Sequence, residues 1–201
     1  MCSSDLSVRA TPTLVDRGAT SILSGRLTAP TGVTALTVEA APAGALQVVP
    51  LGSVPVAADG SFSVRVTPSS TTEYRVLVPA AGEYGEGSAA VSVSVRRGVS
   101  IAGSSPSVVR SGRVGVKTSV IGVIAPAAEA VTASFRLERW STVARTWRAV
   151  GTLIRRTDAA GRASVSWAPK GSGLYRWRAI AASTPDYAAG LSPWVRWSIG
   201  R

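Results

Sequence analysis

Asp59-Gly60-Ser61-Phe62-Ser63-Val64-Arg65-Val66-Thr67-Pro68 is the stretch that decides the fold, because it occurs twice. It returns 101 residues later as Ala160-Gly161-Arg162-Ala163-Ser164-Val165-Ser166-Trp167-Ala168-Pro169. In both copies a Gly turn is followed by alternating polar and apolar side chains. An alternation with a period of two is typical of a strand that buries one face. The sequence therefore predicts two copies of a unit built from half-buried strands.

The repeat continues on both sides of this stretch. Near the start of each copy, Val15-Asp16-Arg17-Gly18 resembles Val109-Arg110-Ser111-Gly112. Further matched pairs are Tyr74 with Tyr175, Arg75 with Arg176, Tyr84 with Tyr187, and Ser88 with Ser192. We therefore predict two domains, residues 7–97 and 98–201, each of an ordinary domain size. The junction, near residues 96–99, is short enough to allow only limited hinge freedom.

Seven strands are predicted in each copy, from the alternation and from the Gly, Pro, Asp and Ser turns between the runs. In the first copy they are 7–10, 20–28, 34–40, 45–49, 61–67, 73–78 and 89–95, and in the second 98–102, 113–121, 132–140, 146–154, 162–167, 174–181 and 193–199. Such spacing predicts an all-β protein of two tandem immunoglobulin-like β-sandwiches. The alternative is a single barrel of fourteen strands, against which the repeat argues.

Residues 1–6 (Met1-Cys2-Ser3-Ser4-Asp5-Leu6) match the translation of a sequencing-adapter tail. We expect them to be an artefact and the natural protein to extend upstream. The alternatives are a natural start or a lipoprotein cysteine, but a lipoprotein signal would need a basic start and an apolar run before Cys2. This is the only cysteine in the chain, so no intrachain disulfide can form.

Enzyme chemistry finds little support in the sequence. The chain has no His, which is the commonest general base and metal ligand. No serine lies in a Gly-x-Ser-x-Gly elbow, and the eleven acidic residues offer no obvious catalytic pair. We therefore predict that this chain is not an enzyme and that it needs no cofactor.

Metal and membrane sites are not predicted either. Glu83-Tyr84-Gly85-Glu86 holds the only close pair of acids that could bind calcium, and a solvated loop explains it better. The longest uncharged apolar-rich stretch, residues 118–128, is too short to span a membrane and contains Gly and Pro.

A tyrosine stands near the start of the sixth predicted strand of each copy, at Tyr74 and Tyr175. In immunoglobulin-like domains such a tyrosine often hydrogen-bonds back to the preceding corner. The second copy suits this better, because Gly173 stands two residues before the tyrosine where the first copy has Thr72. An ordinary core tyrosine is the alternative.

The chain resembles bacterial Ig-like repeats of the Big type, which occur in tandem in extracellular proteins, notably of actinobacteria. The stretches that carry the resemblance are 59–64, 71–76 and 88–95 in the first copy and 147–151, 160–162 and 175–178 in the second. The resemblance implies spacers, stalks and adhesive modules at the cell surface. The first copy departs from it where Gly44-Ala45-Leu46-Gln47 replaces the usual Trp of the middle hairpin.

Charge and tryptophan are concentrated in the second copy. Residues 1–97 contain seven Arg and seven acidic residues, whereas all of the net charge of +11 and all six Trp lie in residues 98–201. Matching to the first copy places three of these tryptophans inward: Trp167 at the position of Val66, Trp177 at that of Val76, and Trp197 at that of Val93. These three are predicted to lie in the core.

The other three tryptophans, with neighbouring arginines, are the candidate binding residues. They are Trp140, Trp147 and Trp194, with Arg139, Arg148 and Arg196. Exposed Trp can stack on sugar rings, and Arg can bind anionic polymers. The structural alternative is that Trp covers the edge of a sandwich and that Arg keeps an edge strand soluble.

The sequence therefore supports two functions. The first is a non-catalytic structural or spacer module of a secreted or cell-surface bacterial protein, whose partners are the other domains of the same polypeptide. The alternative is adhesion, in which the second copy binds cell-wall glycan or a teichoic-type polyanion. Nucleic acid would also be attracted by a basic module, but it is not expected as a partner because no base-reading motif is present.

Overall fold

The computed structural model describes residues 5–28, 32–80 and 85–201. The predicted acid pair and the match of Tyr84 to Tyr187 depend on residues outside these ranges. The chain divides into two compact units. Unit 1 comprises Met1–Arg96 and Thr184–Ala188, and unit 2 comprises Arg97–Ser183 and Ala189–Arg201. Residues 184–188 thus group with unit 1, although the sequence places them in the second copy.

Unit 1 is a sandwich of two sheets. Its strands are β1 (Asp5–Thr11), β2 (Leu14–Asp16), β3 (Ser21–Thr28), β4 (Ala35–Pro42), β5 (Val49–Pro55), β6 (Ser61–Val66), β7 (Thr72–Val78) and β8 (Gly87–Arg96). One sheet has the order β1-β3-β6 and the other β2-β8-β7-β4-β5. The predicted alternation holds along these strands: Phe62 and Val66 are buried, whereas Ser63 and Arg65 are exposed. The core between the sheets is made largely of Val and Leu.

Unit 2 is built in the same way. Its strands are β9 (Gly98–Ile101), β10 (Val109–Arg113), β11 (Thr118–Ala125), β12 (Thr132–Ser141), β13 (Thr146–Arg156), β14 (Arg162–Trp167), β15 (Gly173–Ala181), β16 (Gly190–Leu191) and β17 (Val195–Gly200). One sheet has the order β9-β11-β14 and the other β10-β17-β15-β12-β13, with β16 paired to β15. The protein is therefore all-β, with two immunoglobulin-like sandwiches.

The two units share an irregularity as well as a strand order. The register of β4 against β5 shifts between Val38 and Glu39, and that of β12 against β13 shifts between Leu137 and Glu138. A β-bulge of this kind bends a strand and increases its twist locally. Because Glu39 lies across from Arg75 and Glu138 across from Arg176, the two bulges occupy the same position in their sheets.

The fourth predicted strand of the first copy, 45–49, is wrong. The strand in this place is β5, and most of residues 43–48 form turns instead. The sequence analysis missed β5 because this strand contains Pro50, Gly52 and Pro55, which are residue types typical of turns. They are tolerated because β5 is an edge strand that pairs with β4 alone, so its other edge needs no N–H donors.

Three short strands were not predicted, and one strand is displaced. The missed strands are β2, β10 and β16, which have five residues or fewer and so show little periodicity. The strand predicted at 113–121 is β11, and residues 114–117 before it form a turn. The prediction began this strand too early because it counted Val114 and Val116 in the turn as strand residues. Both side chains are exposed.

The repeated turn at Gly60 and Gly161 depends on glycine. Both residues have positive φ, at 82° and 69°, a region that L side chains rarely adopt. A Cβ on Gly60 would lie 2.2 Å from the carbonyl oxygen of Leu27. The Oδ1 atom of Asp59 accepts hydrogen bonds from the N–H and hydroxyl of Ser61, and these bonds lower the pKa of Asp59.

The predicted tyrosine corner is present in unit 2. The hydroxyl of Tyr175 donates to the carbonyl oxygen of Gly171 at 2.8 Å. In unit 1 the matching carbonyl, that of Ser70, instead accepts from the hydroxyl of Thr72 at 2.8 Å. Tyr74 is buried, and this burial raises its pKa, while its contact with the Thr72 side chain opposes the shift.

Candidate functional site

The candidate site is the outer face of the five-stranded sheet of unit 2, meaning the side chains that point away from the core. Side chains alternate along β15, so that Tyr175, Trp177 and Ala179 are buried while Arg176 and Arg178 project outward. The strand pairing then sets the outward residues of the neighbouring strands side by side. These include Arg136, Glu138 and Trp140 on β12, Trp147 on β13, Arg196 on β17 and, just before β17, Trp194.

Arg176 stands at the centre of a stack on this face. Its guanidinium carbon lies 4.4 Å from the ring centroid of Trp147 and 4.1 Å from that of Trp194. The guanidinium of Arg178 also packs on Trp194, at 4.6 Å. Trp140 meets Trp147 edge-on, with ring centroids 5.4 Å apart. We call these five residues the Trp–Arg ladder, which links strands β12, β13 and β15 with the segment just before β17.

The ladder rests on a buried carboxylate. Glu138 has 5% of its side chain exposed and forms ion pairs with Arg136 at 2.8 Å and with Arg176. The Nε atom of Arg176 also donates to Oε2 of Glu138 at 2.6 Å. A buried carboxylate is costly unless its oxygens are satisfied, and here two guanidiniums satisfy it. Glu138 thus holds Arg176 in the plane needed for stacking on both tryptophans.

The register explains why these residues meet. Trp140 and Trp147 are direct cross-strand partners on β12 and β13, and Glu138 and Arg176 are direct partners on β12 and β15. Opposite residues on one face of a sheet lie close enough for their side chains to interact. Each cation–π contact contributes about 0.5–1 kcal/mol at an exposed site and more when water is excluded.

The structure brings the three candidate tryptophans together. Trp140, Trp147 and Trp194 are all half-buried and all belong to the ladder. Arg196 lies on the same face, as the cross-strand partner of Arg176, and is exposed. Four of the six predicted residues therefore share one surface.

Arg139 and Arg148 do not belong to that surface. They are cross-strand partners of each other, so they project from the side opposite to Trp140 and Trp147. Arg139 lies over the ring of Tyr175 at 5.6 Å and donates to the carbonyl oxygen of Ser172 at 2.6 Å. The structure thus places these two arginines apart from the tryptophans, because neighbours in sequence on a strand face opposite ways. With Trp140 they line a depression along the β12–β13 hairpin.

Four residues of this face escaped the sequence analysis: Arg136, Glu138, Arg176 and Arg178. The alternation Tyr175-Arg176-Trp177-Arg178 could have revealed two of them, since it sets both arginines opposite to a core Trp. Glu138 and Arg136 alternate with Leu137 in the same way. Their meeting with Arg176 depends on the pairing of β12 with β15, which lies 38 residues away in sequence and has no local signature.

The three predicted core tryptophans face inward. Trp177 and Trp197 are 0% and 1% exposed, and Trp167 is half-buried against the same core. Trp197 corresponds to Val91 of unit 1 and not to Val93 as predicted, a shift of two residues along the strand. Trp197 is the cross-strand partner of Tyr175, and Val91, not Val93, is the partner of Tyr74. Both positions face inward, so the expected burial was unaffected.

The outer face of unit 2 is strongly positive. It carries one carboxylate, Glu138, and six guanidiniums: Arg113, Arg136, Arg156, Arg176, Arg178 and Arg196. The corresponding face of unit 1 carries the acids Asp16, Glu39 and Glu73 with Arg75 and Arg96. There, Glu73 pairs with Arg75 and Asp16 with Arg96. The same sheet position is thus basic in one unit and nearly neutral in the other.

The Trp–Arg ladder is specific to unit 2. Continuing the register of unit 1 places Ala41 and Val48 where unit 2 has Trp140 and Trp147. In the same way, Ser88 stands at the position of Trp194 and Leu77 at that of Arg178. Only the central Arg and the Glu across from it are common to both units.

Other kinds of site are not found in the part of the chain that the structure describes. Its His, Cys, Asp and Glu side chains form no group of three or more that could hold a metal ion. It also contains no helix that is long and apolar enough to cross a membrane.

Comparisons with known proteins show no family and only distant similarity to solved structures. No protein-family model matches the chain, and no curated protein matches it. Among solved structures it is similar to the fibronectin(III)-like modules of Clostridium thermocellum CbhA, with 14% identity, a TM-score of 0.33 and coverage of 97% of this chain and 94% of that one. The D0-D1 domain of intimin has 14% identity, a TM-score of 0.36 and coverage of 96% and 97%.

A marsupial T cell receptor is also similar, with 11% identity, a TM-score of 0.41 and coverage of 96% of this chain and 72% of that one. The assignment of the fold rests on the strand order and pairing described above. By that strand order, the chain is built of two immunoglobulin-like β-sandwiches.

Proposed function

We propose that the chain is a non-catalytic spacer from a secreted or surface-attached bacterial protein, of the actinobacterial Big type that its sequence resembles. The observation that carries this proposal is that, in each unit, the second strand pairs in parallel with the last strand. Early strand β2 pairs in parallel with last strand β8, from Leu14–Asp16 to Ser94–Arg96. In unit 2, β10 pairs in parallel with β17, from Val109–Arg113 to Arg196–Gly200.

Parallel pairing of an early strand with the last strand suits a module under tension. When the two ends of such a unit are pulled apart, the paired strands are drawn along their length in opposite directions. The hydrogen bonds between them are then loaded together and in shear. They share the load, so separating the strands requires a high force. A separate apolar core in each unit further supports a chain of independent mechanical elements.

Single-molecule stretching of the full chain tests the spacer function. Two unfolding events at high force are expected, one for each unit. Because only alternate residues of a strand direct N–H groups to one neighbour, Ser111→Pro and Gly112→Pro are tested separately in β10. At least one of them lowers the force of one event, while the event of unit 1 serves as an internal control. Unfolding of both units at low force contradicts the proposal.

Binding to the bacterial cell wall is the second candidate function. The Trp–Arg ladder favours it, because three half-exposed tryptophans and an excess of arginine occupy one face in unit 2 and are absent from the matching face of unit 1. Retention of the full chain on purified cell wall is the test. Retention that weakens as salt rises supports binding, and passage of the whole sample through the wall fraction contradicts it.

A further inference from the structure

Most guanidiniums on the outer face of unit 2 lack a protein counter-ion. Arg136 and Arg176 share the carboxylate of Glu138. Within the described ranges, no ion pair reaches the other four arginines of this face: Arg113, Arg156, Arg178 and Arg196. Uncompensated charge of one sign on a sheet face attracts a ligand of the opposite sign.

The ladder itself is poorly suited to stacking on a neutral sugar. Both Trp147 and Trp194 already carry a guanidinium against the ring, at 4.4 Å and 4.1 Å from Arg176, and Trp194 carries that of Arg178 as well. A ring face covered in this way is not open to a pyranose ring. The ladder is therefore better understood as a support that orients arginines than as a sugar-binding platform.

We propose that the outer face of unit 2 binds a linear phosphodiester polymer, of which poly(glycerol phosphate) is the simplest form. This inference rests on the proposed wall-binding function and specifies its ligand. Charge complementarity is the main argument, since six guanidiniums face one carboxylate. Arginine also presents a rigid fork of N–H donors that fits a phosphate group with two hydrogen bonds.

The dimensions of the face suit a polymer better than a single ion. Its arginines are spread over five neighbouring strands, from Arg113 on β10 to Arg156 on β13. At about 4.8 Å between strands, this distance is roughly 19 Å. A flexible polyanion can contact several of these arginines at once, so that individually weak contacts add up to useful affinity.

The decisive experiment uses the full chain and immobilised poly(glycerol phosphate). One variant replaces Arg113, Arg156 and Arg196 with Gln, which removes three exposed charges from the face without touching the ladder. A matched control replaces Arg155, Arg162 and Lys170, which are equally exposed but lie off this face. Both variants carry the same net charge, so a general electrostatic effect would weaken them equally.

We expect the face variant to bind at least tenfold more weakly and the control less than threefold more weakly. The dependence of log affinity on log salt should also become shallower by about two for the face variant, because fewer counter-ions are released. Equal losses in the two variants would overturn the proposal. So would unchanged binding by the face variant.

Three further ligands identify the source of any binding. Hyaluronan tests a carboxylate polymer, a neutral β-glucan tests sugar stacking, and duplex DNA tests phosphate in a rigid array. Tighter binding to any of them than to poly(glycerol phosphate) contradicts the proposed ligand. If whole cell wall retains the chain but poly(glycerol phosphate) does not, the ligand is wrong and the binding function stands. If neither retains it, the binding function itself fails.

Discussion

Glu138 and Arg176 lie directly across from each other on β12 and β15, and they are joined by a hydrogen bond of 2.6 Å as well as an ion pair. The same two residue types face each other in unit 1 as Glu39 and Arg75. Arg75, however, pairs with Glu73 on its own strand. Only in unit 2 does the central arginine connect two strands and two tryptophans.

Arg176→Ala should therefore destabilise unit 2 substantially. The change removes two cation–π contacts and leaves the buried Glu138 with Arg136 as its one ion-pair partner among the described residues. We expect a loss of about 2–3 kcal/mol in the free energy of unfolding, measured by chemical denaturation. Arg196→Ala, at the exposed neighbouring position, is the control and should change stability by less than about 0.5 kcal/mol. Similar effects of both changes would contradict a structural role for the ladder.

Gly60→Ala should destabilise unit 1 by about 1–3 kcal/mol. The new Cβ would lie 2.2 Å from the Leu27 carbonyl oxygen, so the turn must shift as well as accept an unfavourable φ. Gly115→Ala is a matched control, because Gly115 also has positive φ but no heavy atom lies within 4 Å of the added Cβ. Thermal unfolding of both variants separates the cost of the contact with Leu27 from the cost of the positive φ. Equal losses of stability would show that the contact with Leu27 costs nothing.

Tyr175→Phe should weaken unit 2 by about 1 kcal/mol. The change removes the hydrogen bond from the hydroxyl to Gly171 and leaves the buried ring in place. Tyr74→Phe provides the comparison in unit 1, where the matching carbonyl already accepts from Thr72. Denaturant unfolding should show a smaller loss there. A larger loss from Tyr74→Phe would contradict our view of which unit depends on the corner.

Alkaline pH should destabilise unit 1 through Tyr74. Burial raises the pKa of this phenol in the folded state, while the Thr72 contact opposes the shift. A raised pKa means that the neutral form is favoured in the folded state, so the stabilisation is present below the unfolded pKa of about 10 and is lost as pH rises through the folded value. Stability measured between neutral and alkaline pH should fall less steeply in Tyr74→Phe. Equal slopes would refute this account.

Trp177→Ala should be the most damaging change in unit 2. The side chain is fully buried against Phe135 and its neighbours in the core, and truncating a buried Trp costs about 3–5 kcal/mol. Trp140→Ala, on the outer face and at the end of the ladder, should cost much less. Denaturation monitored by fluorescence compares the free energies of unfolding of the two variants. A larger loss for Trp140→Ala would contradict the placement of Trp177 in the core and of Trp140 on the surface.

Sequence periodicity predicted the parts of the fold that depend on one strand at a time. The alternation of Phe62, Val64 and Val66 with polar residues placed β6 correctly, and the same rule separated Trp197 from Trp194. It failed at β5, where edge pairing permits the prolines that otherwise indicate a turn. It also could not find the ladder, because the contact of Glu138 with Arg176 depends on which strands become neighbours.

The matching bulges at Glu39 and Glu138 imply that one scaffold can present two different surfaces. The bend and the Glu–Arg opposition are common to both units, whereas the aromatic residues around them are not. Tryptophans transplanted to positions 41, 48 and 88, with arginine at 77, would thus meet a backbone already shaped to receive them. On the proposed wall-binding function, binding would depend on the exposed side chains of one sheet and not on the backbone that the two units share.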